Sequence, residues 1–252
     1  MSMNTIQGKE ESGIHDTESA TFSVGGSSYK LRAGQVLDTG DMFHIKNRQF
    51  ISVPFRPAFA SAIAERGPQV ILPHDASVMV SFSGITGGSR VIESGVGSGI
   101  LSAFILWEIG EEGILKSIDI NSDNIQIARK NLDRFGIDRG HEYIIGDIRN
   151  FDDADRYDAV FLDIPDPWNA MKASSRLLKK GGTLVTYSPN FNQVEKAVVS
   201  MGENNIFHHV SMELTRRNLI VRKDATRPDS KGVGHTGFIS VGYRYANNDI
   251  TI

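Results

Sequence analysis

Between Arg90 and Tyr187 the spacing of apolar residues switches repeatedly between two periods. Short β-branched runs such as Val91-Ile92 read as buried parallel strands. Ile100, Leu101, Phe104, Ile105 and Ile109 recur at helical spacing. The same alternation predicts strands over Ile114–Ile120, Glu142–Ile145, Tyr157–Leu162 and Thr183–Tyr187. Helices are predicted over Val78–Ile85, Asn121–Phe135, Trp168–Lys180 and Asn192–Met201. Asn121 or Ser122 caps the second of these, and Gly181-Gly182 ends the third. Two more strands, near Ile206–Glu213 and Gly237–Tyr245, fit an antiparallel edge. Repeated βα units with right-handed crossovers predict a doubly wound α/β sheet.

Upstream the pattern is different. Residues 1–20 are polar with little apolar periodicity and read as a mobile tail. Residues 21–56 carry short apolar runs punctuated by Gly25-Gly26, Gly34 and Gly40-Asp41, which predicts a small antiparallel β module. Pro57–Arg66 fits a short helix, and Gln69–Ser77 a link into the next one. Asp75 reads there as an N-cap or as a cofactor contact. Residues 57–252 form the main domain.

Ligands of a doubly wound sheet gather at the carboxyl ends of its strands, and the candidate chemistry lies there. After Val91-Ile92 come Glu93, Gly95, Gly97 and Gly99, then a helix. The glycines let a ligand approach the main chain, and the first N–H groups of the helix face it. The spacing is G-x-G-x-G, whereas a pyrophosphate-binding dinucleotide turn is G-x-G-x-x-G. Glu93 would repel a pyrophosphate and suits an ammonium group. That favours S-adenosylmethionine over a dinucleotide. Asp119, at the tip of the next strand, is placed to accept the ribose hydroxyls of either nucleoside. Asp147, after the third strand, fits either an adenine amine or a loop turn. The fourth strand ends in Asp163-Ile-Pro-Asp-Pro-Trp168. Asp163 there fits a general base, an acceptor for an amino group, or a cap. Trp168 fits a core aromatic better than a stacking platform, and Tyr187 is a second aromatic at the same mouth.

Composition narrows the classes. At 252 residues the chain can bury a full core. Its net charge of −3 makes it no basic nucleic-acid coat, so any RNA contact must come from patches. The run from Arg216 to Lys231 is the favoured one, with Lys179-Lys180 and Arg129-Lys130 as others. There is no cysteine, which removes disulfides and thiolate metal sites, and no metal is expected. No apolar run approaches membrane-spanning length and no signal-peptide pattern is present, so the expected compartment is the cytoplasm.

Several segments together resemble the tRNA (adenine-58-N1)-methyltransferases. The carriers are Val91–Gly99, Asp163–Trp168, Tyr187-Ser-Pro-Asn-Phe-Asn-Gln-Val194 and Gly234-His-Thr-Gly-Phe238. Gln69-Val-Ile-Leu-Pro-His-Asp75 resembles the family's link, with Leu72 and His74 where tyrosine and lysine are common. The resemblance implies a Rossmann-like methyltransferase sheet and S-adenosylmethionine bound by Ser98, Gly99, Ile100 and Leu101. It further implies ribose held by Asp119 with Asn124 nearby, adenine met by Asp147, and Asp163 at the reaction centre. It also implies a homotetramer, tRNA as substrate, and adenine 57 as a second target in archaeal relatives. Tyr187 is the candidate to stack on the extruded target base. His235 fits a structural strand histidine better than a catalytic one. The alternatives are a methyltransferase for a small molecule or protein carboxylate, a non-catalytic RNA-binding partner subunit, and an NAD-linked oxidoreductase. The glycines and Asp163 speak against the second, and Glu93 against the third.

Overall fold

The computed structural model describes residues 4–8, 12–16, 21–24, 27–31, 35–65, 71–230 and 234–246. Gly25-Gly26, Gly34, Arg66, Gln69, Val70 and Lys231, all used above, lie outside the described residues.

The centre of the molecule is a seven-stranded sheet. Its strands are β7 (Arg90–Ser94), β8 (Ile114–Asp119), β9 (His141–Ile145), β10 (Tyr157–Leu162), β11 (Leu178–Ser188), β12 (Ile206–Glu213) and β15 (Phe238–Arg244). They lie in the order β12-β15-β11-β10-β7-β8-β9. Strands β7 to β11 pair in parallel, and β15 runs antiparallel to both β11 and β12. This is the expected sheet with its antiparallel edge. The strand order reverses between β7 and β10, where a doubly wound sheet opens a crevice.

A period of two assigns alternate residues to opposite faces. Val91, Phe161 and Val185 enter one core layer with Ala76, Met79 and Ile105 from α2 (Pro73–Ser83) and α3 (Ile100–Ile109), and with Leu132 from α4 (Ser122–Phe135). Ile92, Val160 and Leu184 enter the other, with Leu177 from α5 (Met171–Leu177) and Ala197 and Met201 from α6 (Phe191–Glu203). Helices cover both faces, so the central strands are apolar throughout rather than alternating.

A second sheet holds six antiparallel strands in the order β4-β3-β2-β1-β6-β5. They are β1 (Asn4–Gly8), β2 (Ser12–Asp16), β3 (Thr21–Val24), β4 (Ser27–Lys30), β5 (Met42–Ile45) and β6 (Arg48–Pro54). Ile6, Val24, Leu37 and Phe50 make its core. Residues 1–20 therefore supply two strands where a tail was expected. The β1 strand pairs with both β2 and β6, through backbone bonds that need no apolar periodicity. After β6, Phe55 stacks on Phe135 of α4 at 5.0 Å, and α1 (Ala60–Ile63) follows.

Three boundaries differ from expectation. Helix α2 starts at Pro73, not Val78, because proline is preorganised for a first helical position. Asp75 consequently lies inside the first turn, and Leu72 is the N-cap. Helix α5 ends at Leu177, and Gly181-Gly182 sits within β11 instead of closing a helix. Gly181 has φ +77°, and a Cβ on Gly182 would lie 2.9 Å from the Lys179 carbonyl oxygen. The pair makes the bulge that shifts the β10–β11 register between Tyr157 and Ala159. A short hairpin, β13 (Leu219–Ile220) with β14 (Arg227–Pro228), projects between β12 and β15.

Candidate active site

The crevice at the strand-order reversal opens into a cavity of ≈ 560 Å³. Its lining comes from the carboxyl ends of four parallel strands. Ser94 ends β7 and Gly95 and Gly97 follow it, Asp119 ends β8 with Asn124 beyond it, Asp147 and Arg149 follow β9, and Asp163 follows β10. Tyr187, Pro189 and Gln193 close the side.

The glycine turn is shaped by its neighbour. Gly95 has φ +90°, and a Cβ there would sit 2.0 Å from the carbonyl oxygen of Asp163. Only glycine permits the two loops to touch. Gly97 has φ +51° and nothing within 4 Å of where a Cβ would be, so its open face belongs to the cavity. Asp119 binds the turn from the far side. One of its oxygens accepts from the backbone N–H of Val96 at 3.0 Å and of Gly97 at 3.4 Å. The other accepts from Asn121 N–H at 2.9 Å, and the Asn124 amide reaches both. Asp119 thus braces the glycine loop in addition to facing the cavity, with Asn124 beside it.

Glu93 is placed differently from its expected role. It is fully buried one layer beneath the turn and does not line the cavity. Its Oε2 accepts from the hydroxyls of Ser102 at 2.5 Å and Ser117 at 2.7 Å, while Oε1 has no partner among the described residues. Burial pushes its pKa up to about 8, against the two serine hydrogen bonds, with Asp163 and Asp119 adding repulsion. Ser98, Ile100 and Leu101 are likewise buried and do not reach the cavity with their side chains. Gly99, at φ +78°, packs on Ala128, and the Ser98 carbonyl accepts from Asn131. What this segment can offer a ligand is the backbone N–H groups at the start of α3.

Asp163 has no hydrogen bond to its carboxylate among the described residues, and burial, then Asp119, raises its pKa to about 7. An unpaired carboxylate in a crevice that also holds Asp119, above buried Glu93, is electrostatically costly until a cation arrives. S-adenosylmethionine carries a sulfonium and an ammonium, so the acidic floor and the open face of Gly97 fit it. Asp147 lines the wall, but Arg149 Nε holds both of its oxygens at 2.8–2.9 Å and lowers its pKa. Arg149 also reaches Asp166 at 2.8 Å, tying the β9 loop to the Asp163 loop. Nothing in the local sequence pattern singled out Arg149; its role depends on two loops meeting.

Tyr187 is mostly buried, with its ring against Gly237, where a Cβ would be 2.4 Å from Cζ. Its hydroxyl donates to Asp75 Oδ2 at 3.2 Å. Asp75 is therefore neither a cap nor a lining residue; it holds Tyr187 from behind. Trp168 packs away from the cavity, with Lys196 4.8 Å over its ring. His235 is exposed in the loop before β15 and not in a strand. Among the described residues no cluster of three metal-ligating side chains is present, and no helix is long and apolar enough to cross a membrane.

The two raised carboxyls set a pH dependence. Each keeps a proton in the folded state that the unfolded chain releases near its usual pKa. Folding therefore takes up protons between that value and about pH 7–8, and stability falls as pH rises through this window. S-adenosylmethionine, a cation, favours the ionised forms, so its affinity is expected to rise from about pH 6 to about pH 8.5 with proton release. Calorimetric titration in buffers of different ionisation enthalpy checks this. Affinity that is flat with pH would refute it.

Comparison with known proteins agrees with this geometry. Residues 56–233 match the family model described as tRNA methyltransferase complex GCD14 subunit. The chain is 31% identical over 203 residues to the tRNA (adenine(57)-N(1)/adenine(58)-N(1))-methyltransferase TrmI of Methanocaldococcus jannaschii, covering 70% of this chain and 72% of that one. It is 31% identical over 168 residues to a tRNA (adenine(58)-N(1))-methyltransferase TrmI of Thermus thermophilus, covering 66% of each. A SAM-dependent O-methyltransferase from Thermotoga maritima superposes with TM-score 0.84 at 21% identity, covering 99% of this chain and 95% of that one. The tRNA (m1A58) methyltransferase TrmI of Aquifex aeolicus superposes with TM-score 0.78 at 20% identity, covering 98% of each. Those two likenesses establish the Rossmann-like methyltransferase fold. With the family model matching residues 56–233, which hold six of the seven strands of the main sheet, the chain belongs to the tRNA methyltransferase family of the GCD14 subunit.

Proposed function

We propose that this chain methylates N1 of adenine 58 in the T-loop of tRNA with S-adenosylmethionine as donor. The observation that carries it is Asp163: an unpaired carboxylate at the carboxyl end of β10, touching the glycine turn through its backbone and facing Tyr187 across one cavity. The relatives named for adenine 58, and in Methanocaldococcus jannaschii also for adenine 57, support the choice of substrate.

S-adenosylmethionine supplies a methyl group activated by its sulfonium. Adenine N1 has a free lone pair and carries no proton, so no general base is needed before attack. The product ring is a cation. Ionised Asp163, accepting from the exocyclic amine of the adenine, directs electron density toward N1 and stabilises the developing charge. The backbone of the glycine turn and Asp119 orient the donor, with Asn124 fixing the Asp119 carboxylate. Glu93, whose pKa is raised to about 8, adds negative charge from beneath the turn only when the bound cation draws it into its ionised form. Tyr187, pinned by Asp75 and Gly237, is the wall against which the extruded adenine stacks.

The test is methyl transfer from labelled donor to unmodified tRNA, with nucleoside analysis of the product. Methylation at 58 alone, or at 57 and 58, settles the target. Methylation of a small molecule or a protein carboxylate in place of tRNA would sink the proposal. The Thermotoga O-methyltransferase likeness, at 21% identity, bears on fold alone.

RNA binding is assigned to patches. Arg216, Arg217, Arg222, Lys223 and Arg227 are exposed on and around the β13–β14 hairpin, and none is in an ion pair among the described residues. Replacing Arg216 and Arg217 by Ala is expected to flatten the salt dependence of tRNA affinity by roughly one log unit for each phosphate no longer neutralised. An unchanged slope in filter binding at several salt concentrations would move the RNA surface elsewhere. The family resemblance supports a homotetramer, which sedimentation of the purified protein checks, and a tRNA substrate supports a cytoplasmic location.

A further inference from the structure

Phe191, the first residue of α6, is 74% exposed. Its ring lies 4.6 Å from that of Phe238 at 38°. Phe238 is buried at the start of β15, and the His235 ring packs on it at 4.9 Å. His235 is held at both nitrogens. Nδ1 is 2.6 Å from the Glu213 carboxylate, and Nε2 is 3.0 Å from the Pro189 carbonyl. Both partners are acceptors, an arrangement that favours the doubly protonated imidazole, and Glu213 raises its pKa. The three rings form a braced ledge that spends no part of the exposed Phe191 face on the core.

The position of the ledge gives it a partner. Pro189 and Gln193, either side of Phe191 in sequence, line the cavity. Gln193 Oε1 is buried without a partner among the described residues. Glu213, which anchors His235, ends β12, and the loop carrying Arg216, Arg217, Arg222, Lys223 and Arg227 leaves from it. An exposed aromatic beside a basic loop is the combination that grips unpaired nucleotides, with cations on phosphates and a ring under a base. A basic loop favours a polyanion over an apolar protein face.

We propose that Phe191 is a stacking platform for a base of the substrate RNA next to the methylated adenine. Extruding the target base leaves its neighbour with one bare face, and Phe191 at the cavity rim covers it. The proposal rests on the tRNA reading above and adds a recognition residue that the methyl transfer itself does not require.

The test uses the full-length protein with Phe191→Ala and Phe191→Trp, and tRNA transcripts carrying fluorescent aminopurine on either side of the target adenine. The wild type is expected to change the stacking-sensitive fluorescence on one side. Phe191→Ala is expected to lose that signal and to bind tRNA roughly tenfold more weakly, with a matching rise in KM for tRNA. Its cofactor affinity and thermal midpoint stay at wild-type values, and Phe191→Trp restores both signal and binding. Wild-type fluorescence and tRNA affinity in Phe191→Ala, with the parent enzyme active on tRNA, would overturn the proposal. A change in assembly size with Phe191→Ala would also overturn it, by placing the ring between copies of the chain. A parent enzyme that binds S-adenosylmethionine but leaves tRNA unmethylated would instead fell the tRNA reading, and this proposal with it.

Discussion

Asp163→Ala is expected to slow methyl transfer to tRNA by roughly 10²–10³, the loss that follows removal of one preorganised electrostatic partner. The fold is expected to survive. The Asp163 carboxylate accepts no hydrogen bond from the described residues, so its deletion orphans no donor. The backbone of the residue, which donates to Ser94 at 2.9 Å and packs on Gly95, is kept. Because the pKa is raised to about 7, the ionised carboxylate is a burden in the unliganded protein above that pH. The Ala variant should therefore melt at or above the wild-type midpoint at about pH 8. Cofactor affinity is expected to fall less than turnover, since the glycine turn and Asp119 still hold the nucleoside. Asp163→Asn is the matched comparison: it keeps the shape, removes the charge, and can turn a donor toward the adenine amine. Single-turnover methylation of tRNA by both variants, beside calorimetric titration of the cofactor, separates chemistry from binding. Near wild-type turnover in Asp163→Ala would reduce this carboxylate to a loop residue and remove the acceptor site from β10.

The sheet was legible because its signal is local. Val91-Ile92 and Val160-Phe161-Leu162 are apolar on both faces, which only a strand covered by helices on both sides requires. The converging acids were legible for the same reason: Asp119, Asp147 and Asp163 each end or follow a strand, and parallel strands bring their ends to one edge. What sequence left open is set by contacts between distant residues. Asp75 meets Tyr187 across 112 positions, and a reading of its own neighbours suggests only a cap or a ligand contact. Glu93 stands in the right motif, yet its depth is decided by Ser102 and Ser117, which draw the side chain below the turn. Gly181-Gly182 carries the composition of a helix end, but close approach of Lys179 and Asp158 makes it a bulge. The strands within residues 4–16 were missed because they pair inside the second sheet through backbone bonds that the sequence pattern does not announce, with Ile6 as the core residue that β1 supplies.

Gly95 and Gly97 lie two residues apart in one motif, and substitution should break different things. In Gly95→Ala the new methyl would sit 2.0 Å from the Asp163 carbonyl oxygen and 3.2 Å from Ile164 Cγ2, at φ +90°. Neither loop is free to yield: Asp163 N–H is bonded to the Ser94 carbonyl, and Gly95 N–H to that of Ile118, both at 2.9 Å. The clash and the forbidden φ together are expected to cost about 3 kcal/mol or more. That corresponds to a fall of roughly 6–12 °C in midpoint for a chain of this size. Any relief must come from displacing Asp163, so turnover should fall with stability. In Gly97→Ala the methyl meets nothing within 4 Å, and φ is +51°. The fold is then destabilised by only about 1–2 kcal/mol of added backbone strain. The open space it enters is the floor of the cavity, so cofactor affinity should drop at least about tenfold, or about 1.4 kcal/mol. Thermal melts and calorimetric titration of the two variants give four numbers. A Gly95→Ala protein as stable as the parent would mean that the two loops are not locked together. Unchanged cofactor affinity in Gly97→Ala would mean that the donor does not lie against the turn.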